Sequence, residues 1–329
     1  MENFDSDSRV NSKAYILSGS FTDLSVLDFS FLNIRCYNLE NIDELKVISD
    51  QYQPLANEGI YSLANVICRD AEKAHDELKY VHVLVPVDIR QPPPSHKFMG
   101  CIDALKLLFP SDLQLHAISN FTIFDDKTLE WSGTGFYDFH YSGKERYDNF
   151  LFFKQDEKQI LAINQFIHLY FEKIDQIKYL RIAVDAYLNS YGPIPLHMSY
   201  ISLCIALETF VDGKNELIYR IRRTVALICG ENKHTANTIF QNLKKIYDLR
   251  STIVHGDPYK FPLIIEYLPY LRSLISRCIV QLFHTDYKPA IALQEAILFA
   301  GFDGRNSLFN ADPISLNISS YAVTLTSFK

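Results

Sequence analysis

The sequence predicts an α+β N-terminal domain followed by an all-α helical bundle, and three observations carry that prediction. Residues 80–89, YVHVLVPVDI, alternate and are rich in valine, which is the pattern of a strand. Residues 113–124 and 128–141, separated by Asp125, Asp126 and Lys127, read as a hairpin. Its second arm is aromatic, with Trp131, Phe136, Tyr137, Phe139 and Tyr141. From about residue 156 onward the apolar period becomes that of a helix and stays so.

In order along the chain, Gln91 and the three prolines after it make a loop or edge, because proline cannot serve a ladder. Residues 99–109 suit a short helix before the hairpin. The aromatic arm has a base-stacking reading and a sheet-core reading. With no lysine or arginine between Leu129 and Ser142, the core reading is favoured. Residues 158–191 form one kinked helix or two, ended by Gly192 and Pro193. Residues 196–211 are apolar nearly all round, a buried helix whose one acidic residue is Glu208. Such a carboxylate needs a partner, and Arg250, Arg222 and Arg223 are the available cations. Helices over 214–228, 234–255, 261–283 and 288–299 follow. The predicted division is an accessory domain over 1–153, a helical domain over 154–306 and a tail over 307–329.

Composition narrows the classes. Hydrophobic residues make up 48% and charged residues 22% of 329, which is ordinary for a globular chain and excludes disorder as the default. Six cysteines never approach C-x-x-C spacing, so a zinc module or disulfide framework is not expected and a reducing compartment is. Residues 1–10 are polar and acidic, without a signal-peptide core. The longest apolar segment is interrupted by Glu266, Arg272 and Arg277, so no membrane span is expected and the chain reads as cytoplasmic. The ten histidines show no H-E-x-x-H or H-x-H spacing, and no metal or cofactor is expected. A net charge of −7 counts against a general nucleic-acid coat. Between Lys214 and Arg250, however, eight cations face three carboxylates, a local +5. That excess, including Arg222, Arg223, Lys244 and Lys245, makes an RNA-binding surface a candidate beside the plainer reading of a solvated helical face.

The excess surrounds the stretch that organises the chain, residues 247–258, YDLRSTIVHGDP. On the helix leading there, Ile239, Leu243, Ile246 and Ile253 share one face, and Arg250 falls within about 20° of Ile239. A guanidinium in a stripe built for burial must snorkel, find a carboxylate or line an interface. His255 lies about 140° further round, in the last turn before Gly256 and Pro258, where the negative end of the macrodipole favours a cationic side chain.

The segments IALETF, YRIRRTVALICG and IYDLRSTIVHGDP, each on its own helix, resemble the Apea-like group of the HEPN superfamily, whose signature is an arginine and a histidine separated by four to six residues. The likeness covers roughly residues 155–284, and Ser251 stands where many members carry Asn, Asp or His. The resemblance implies a HEPN-like bundle that dimerises, with Arg250 and His255 at the dimer cleft. It also implies a bacterial anti-phage or toxin-type effector whose accessory domain answers a trigger or antitoxin protein.

The chemistry such a pair can perform is cleavage of RNA by attack of its own 2′-hydroxyl, which needs a base, an acid and a cation for the crowded phosphorane but no metal. One histidine cannot act on both sides of phosphorus, whereas a two-fold dimer supplies two. His255 would transfer the proton and Arg250 stabilise the charge, with Glu208 and Ser251 in support. The competing class is a non-catalytic RNA-binding or protein-interaction module in which Arg250 and Glu208 only hold helices together.

Overall fold

Strand β1, Val10–Ser20, is the spine of the first half of the chain, with every residue from Ala14 to Ser20 buried. In the computed structural model it lies between β4, Tyr80–Pro86, and β5, Gln114–Ile123, antiparallel to both. Strand β2, Ile34–Asn38, extends the sheet beyond β4, and β6, Thr128–Phe136, extends it beyond β5. The two-residue β3, Gln53–Pro54, runs parallel to β6 and completes the order β2-β4-β1-β5-β6-β3. The structure describes residues 9–20, 22–38, 53–54, 80–124, 128–136, 151–213, 215–288, 290–301, 308–309 and 324–326.

The valine-rich strand and the hairpin therefore stand, as β4 and the β5–β6 pair, with Ile123 opposite Leu129 and Ala117 opposite Phe136. On β5 burial alternates without a break: Leu115, Ala117, Ser119, Phe121 and Ile123 point inward. The expected continuation of the second arm through Tyr137, Phe139 and Tyr141 lies outside the described residues. Helix α1, Ser95–Leu108, starts as soon as the proline run ends and lays Phe98 flat on Tyr15, ring centroids 4.2 Å apart. Tight packing recurs at Gly19, with φ of +93°, where a β-carbon would stand 2.5 Å from the Asp112 carbonyl oxygen.

The second half is helical: α2 Glu157–Lys173, α3 Lys178–Asn189, α4 Leu196–Glu208, α5 Leu217–Cys229, α6 Lys233–His255, α7 Phe261–Phe283 and α8 Ala290–Phe299. The stretch 158–191 resolves into two helices, broken by a turn over 174–177. Helix α7 is the centre, packing against α3, α4 and α5. The two cations that interrupt its apolar run are inside. Arg272 donates to the Ser190 carbonyl (2.5 Å) and stacks on Tyr191, and Arg277 lies 3.8 Å from Glu231. Burying either guanidinium without such partners would be prohibitive.

The chain divides into two compact units, Met1–Asp103 with Ser111–Asn164, and Ala104–Pro110 with Gln165–Lys329. The short piece Ala104–Pro110 goes with the helical unit because Tyr187 and Ser276 donate their hydroxyls to the Lys106 and Leu107 carbonyls. Among the described residues, no helix is long and apolar enough to cross a membrane.

Candidate functional site

Helix α6 carries the site, and both of its ends are fixed by side-chain and backbone chemistry. Asn232 caps the start, its Oδ1 accepting the Thr235 amide at 2.9 Å. At the other end Gly256 turns left-handed, φ +77°. Its N–H reaches the Ile253 carbonyl at 3.2 Å, and the Asp257 N–H reaches Thr252 at 3.0 Å, the paired bonds of a Schellman stop. His255 is thus the last helical residue, and it is exposed.

Ile239, Leu243 and Ile246 bury completely, as their shared face demands. Arg250 continues that face to where α4 runs beside α6. Tyr200 donates to the Ile246 carbonyl at 2.7 Å, and Tyr247 donates to the Cys204 carbonyl at 3.3 Å. Burial holds both phenols well above their ordinary range, so they stay protonated donors. One step further, Arg250 Nη2 lies 3.0 Å from Glu208 Oε1. Of the three arginines that the sequence offers Glu208, Arg250 is the one it meets. The side chains retain 31% and 27% of their exposure, so this is a half-open ion pair at the edge of the core.

The contact is a meeting of charges without an aligned hydrogen bond. Glu208 Oε1 and Arg250 Nε are both shielded from solvent and have no hydrogen-bond partner among the described residues. Native structures rarely leave such groups unmatched. By helical geometry Arg250 and His255 leave α6 about 140° apart. Ser251 is exposed beside them.

Three of the four cations nominated for RNA are engaged by the protein itself. Arg222 lies over the Phe240 ring, 3.8 Å from its centroid, and donates Nε to the Phe240 carbonyl at 2.8 Å. Arg223 sends Nη2 to the carbonyls of Ile297, Leu298 and Ala300, closing the C-terminal end of α8. Lys245 donates to the Leu325 carbonyl at 2.5 Å. Lys244 alone of the four is exposed. Sequence reasoning also missed a cluster on α6 and α7, Asn242, Glu266 and Tyr267, whose polar atoms converge on residues 325 and 326. No local pattern announces it, because the residues come from three separated segments.

No family model, curated protein or solved structure matches this chain.

Proposed function

We propose that the helical unit is a metal-independent endoribonuclease of HEPN type that acts as a homodimer. The observation that carries the reading is Arg250. Glu208 holds one of its nitrogens, and a third of the side chain stays open to a further acceptor. A phosphate oxygen would complete such a guanidinium. His255 stands exposed one turn on, at a helix end fixed by Gly256.

The reaction forms a bond from the ribose 2′-oxygen to phosphorus and breaks the bond to the 5′-oxygen. One His255 takes the 2′-hydroxyl proton, and the partner copy's equivalent gives a proton to the leaving 5′-oxygen. Arg250 stabilises the phosphorane charge, and the products are a 2′,3′-cyclic phosphate and a 5′-hydroxyl. DNA lacks the nucleophile and resists. Duplication across a two-fold axis supplies the second histidine that one chain cannot. An apolar stripe leads to the site: Met198 and Ile205 of α4 are 48% and 44% exposed and share a face with Glu208, while Val254 follows Arg250 by one turn. The setting that accords with this is a cytoplasmic anti-phage or toxin-type effector, with the β-sheet unit answering a trigger or antitoxin protein.

The deciding experiment compares wild type, His255→Ala and Arg250→Ala on RNA with EDTA present, scoring product ends by phosphatase and kinase sensitivity. Cyclic-phosphate products from wild type alone support the reading; equal cleavage by His255→Ala overturns it. A second reading, a non-catalytic RNA-binding or protein-interaction module, is favoured by the Glu208–Arg250 pair itself, which joins α4 to α6 whatever else it does. No cleavage by any variant, with dimerisation intact, selects that reading.

A further inference from the structure

We propose that the groove between α6 and α7 is a peptide-binding site for an extended backbone carrying one buried leucine, and that residues 324–326 of this chain are its resident intramolecular ligand. Side chains of two helices meet all four backbone polar groups of two consecutive residues. Asn242 Oδ1 accepts the Leu325 amide at 3.1 Å, and Lys245 Nζ donates to the Leu325 carbonyl at 2.5 Å. Glu266 Oε1 accepts the Thr326 amide at 2.6 Å, and the Tyr267 hydroxyl donates to the Thr326 carbonyl. Between them the Leu325 side chain is 4% exposed, while residues 324 and 326 face solvent.

The need for this arrangement follows from the fold. A strand can capture a peptide with its own amides and carbonyls, but a helix has already used its own internally. A helical groove must therefore read a peptide backbone with side chains, and the four here are placed for it. Asn242 and Lys245 lie three apart on one face of α6, and Glu266 and Tyr267 are adjacent on α7. Asn242 is fully buried, and its amide is oriented by donating Nδ2 to the Tyr270 hydroxyl at 3.1 Å, which leaves Oδ1 for the peptide. The Tyr267 phenol is pushed up to about 12 by burial, then by Glu266 and Asp248, so it keeps its proton and remains a donor. Backbone contacts of this kind tolerate many sequences, and selection falls to the apolar anchor. The site does not depend on any RNA chemistry.

The test uses the full chain with Leu325→Asp, which would put a carboxylate at a position only 4% exposed, together with a fluorescein-labelled peptide of residues 320–329 in solution. Anisotropy is expected to show saturable binding to the Leu325→Asp chain. Binding to wild type should be at least about tenfold weaker, because the tethered segment competes at high effective concentration. A peptide with Leu→Asp at position 325 should not bind, and adding Glu266→Ala to the Leu325→Asp chain should weaken capture several-fold. Leu325→Ser, which removes the anchor without introducing a charge, carries the same arms if the aspartate variant does not fold. Equal binding to wild-type and released chains, equal binding of the two peptides, or no saturable binding to a folded released chain overturns the proposal.

Discussion

Arg250 shows how exposure sets the strength of an ion pair. Fully solvated pairs contribute up to about 1 kcal/mol, whereas breaking a fully buried one costs about 3–5 kcal/mol. With roughly a third of each side chain still wet, Glu208–Arg250 belongs near the lower range. A double-mutant cycle of Glu208→Ala and Arg250→Ala, followed by urea unfolding, should give a coupling energy of about 1 kcal/mol. A coupling above about 3 kcal/mol would assign the pair a mainly structural role and weaken the ribonuclease proposal. The neighbouring cations separate by the same reasoning. Arg223→Ala removes the guanidinium that closes α8 and should lower stability by about 1–2 kcal/mol. Lys244→Ala touches nothing inside and should leave the melting curve unchanged. If RNA runs along this face, Lys244→Ala should weaken its affinity and lower the salt slope by about one.

At the scale of elements, two glycines beside α6 make opposite demands. At Gly256 a β-carbon meets nothing within 4 Å, so Gly256→Ala should cost only left-handed strain, about 1–2 kcal/mol. At Gly230 a β-carbon would stand 2.5 Å from the Ala226 carbonyl and 2.6 Å from the Ala236 β-carbon, where α5 meets α6. Gly230→Ala must push two helices apart and should lose more, about 3 kcal/mol by chemical denaturation. If the two cost the same, the close approach at Gly230 is not rigid. Gly256 was legible because a left-handed stop followed by Asp-Pro is written locally, and the run that predicted α7 was equally local. Strand β1 was not legible. With Ala14 to Ser20 buried on both faces it lacks the alternation that betrays a half-covered strand such as β5. The Glu208–Arg250 pair was half legible: a lone carboxylate on a buried helix and a guanidinium in a buried stripe each need a partner, but sequence left three arginines open. The clamp on residues 325 and 326 needed the fold itself, because no spacing links Asn242, Glu266 and Leu325.

At the scale of the whole molecule, the angle between Arg250 and His255 ties the proposed chemistry to assembly. Helical geometry sends Arg250 and His255 off α6 about 140° apart, and the proposed site draws its second histidine from a second copy. Activity per chain should then fall as the enzyme is diluted through its dimer dissociation constant, and sedimentation at the same concentrations should track the loss. Ile205 offers the independent handle. At 44% exposure its replacement by lysine removes little from the monomer core, so the melting curve should hold. In a two-fold interface, however, the change sets two cations near one another across the axis, which should dissociate the dimer and abolish cleavage together. Cleavage that survives in an Ile205→Lys monomer, or specific activity that stays constant on dilution below the dissociation constant, would mean that one chain does the work. Either result overturns the dimeric site, because one His255 cannot serve as base and acid on opposite sides of phosphorus.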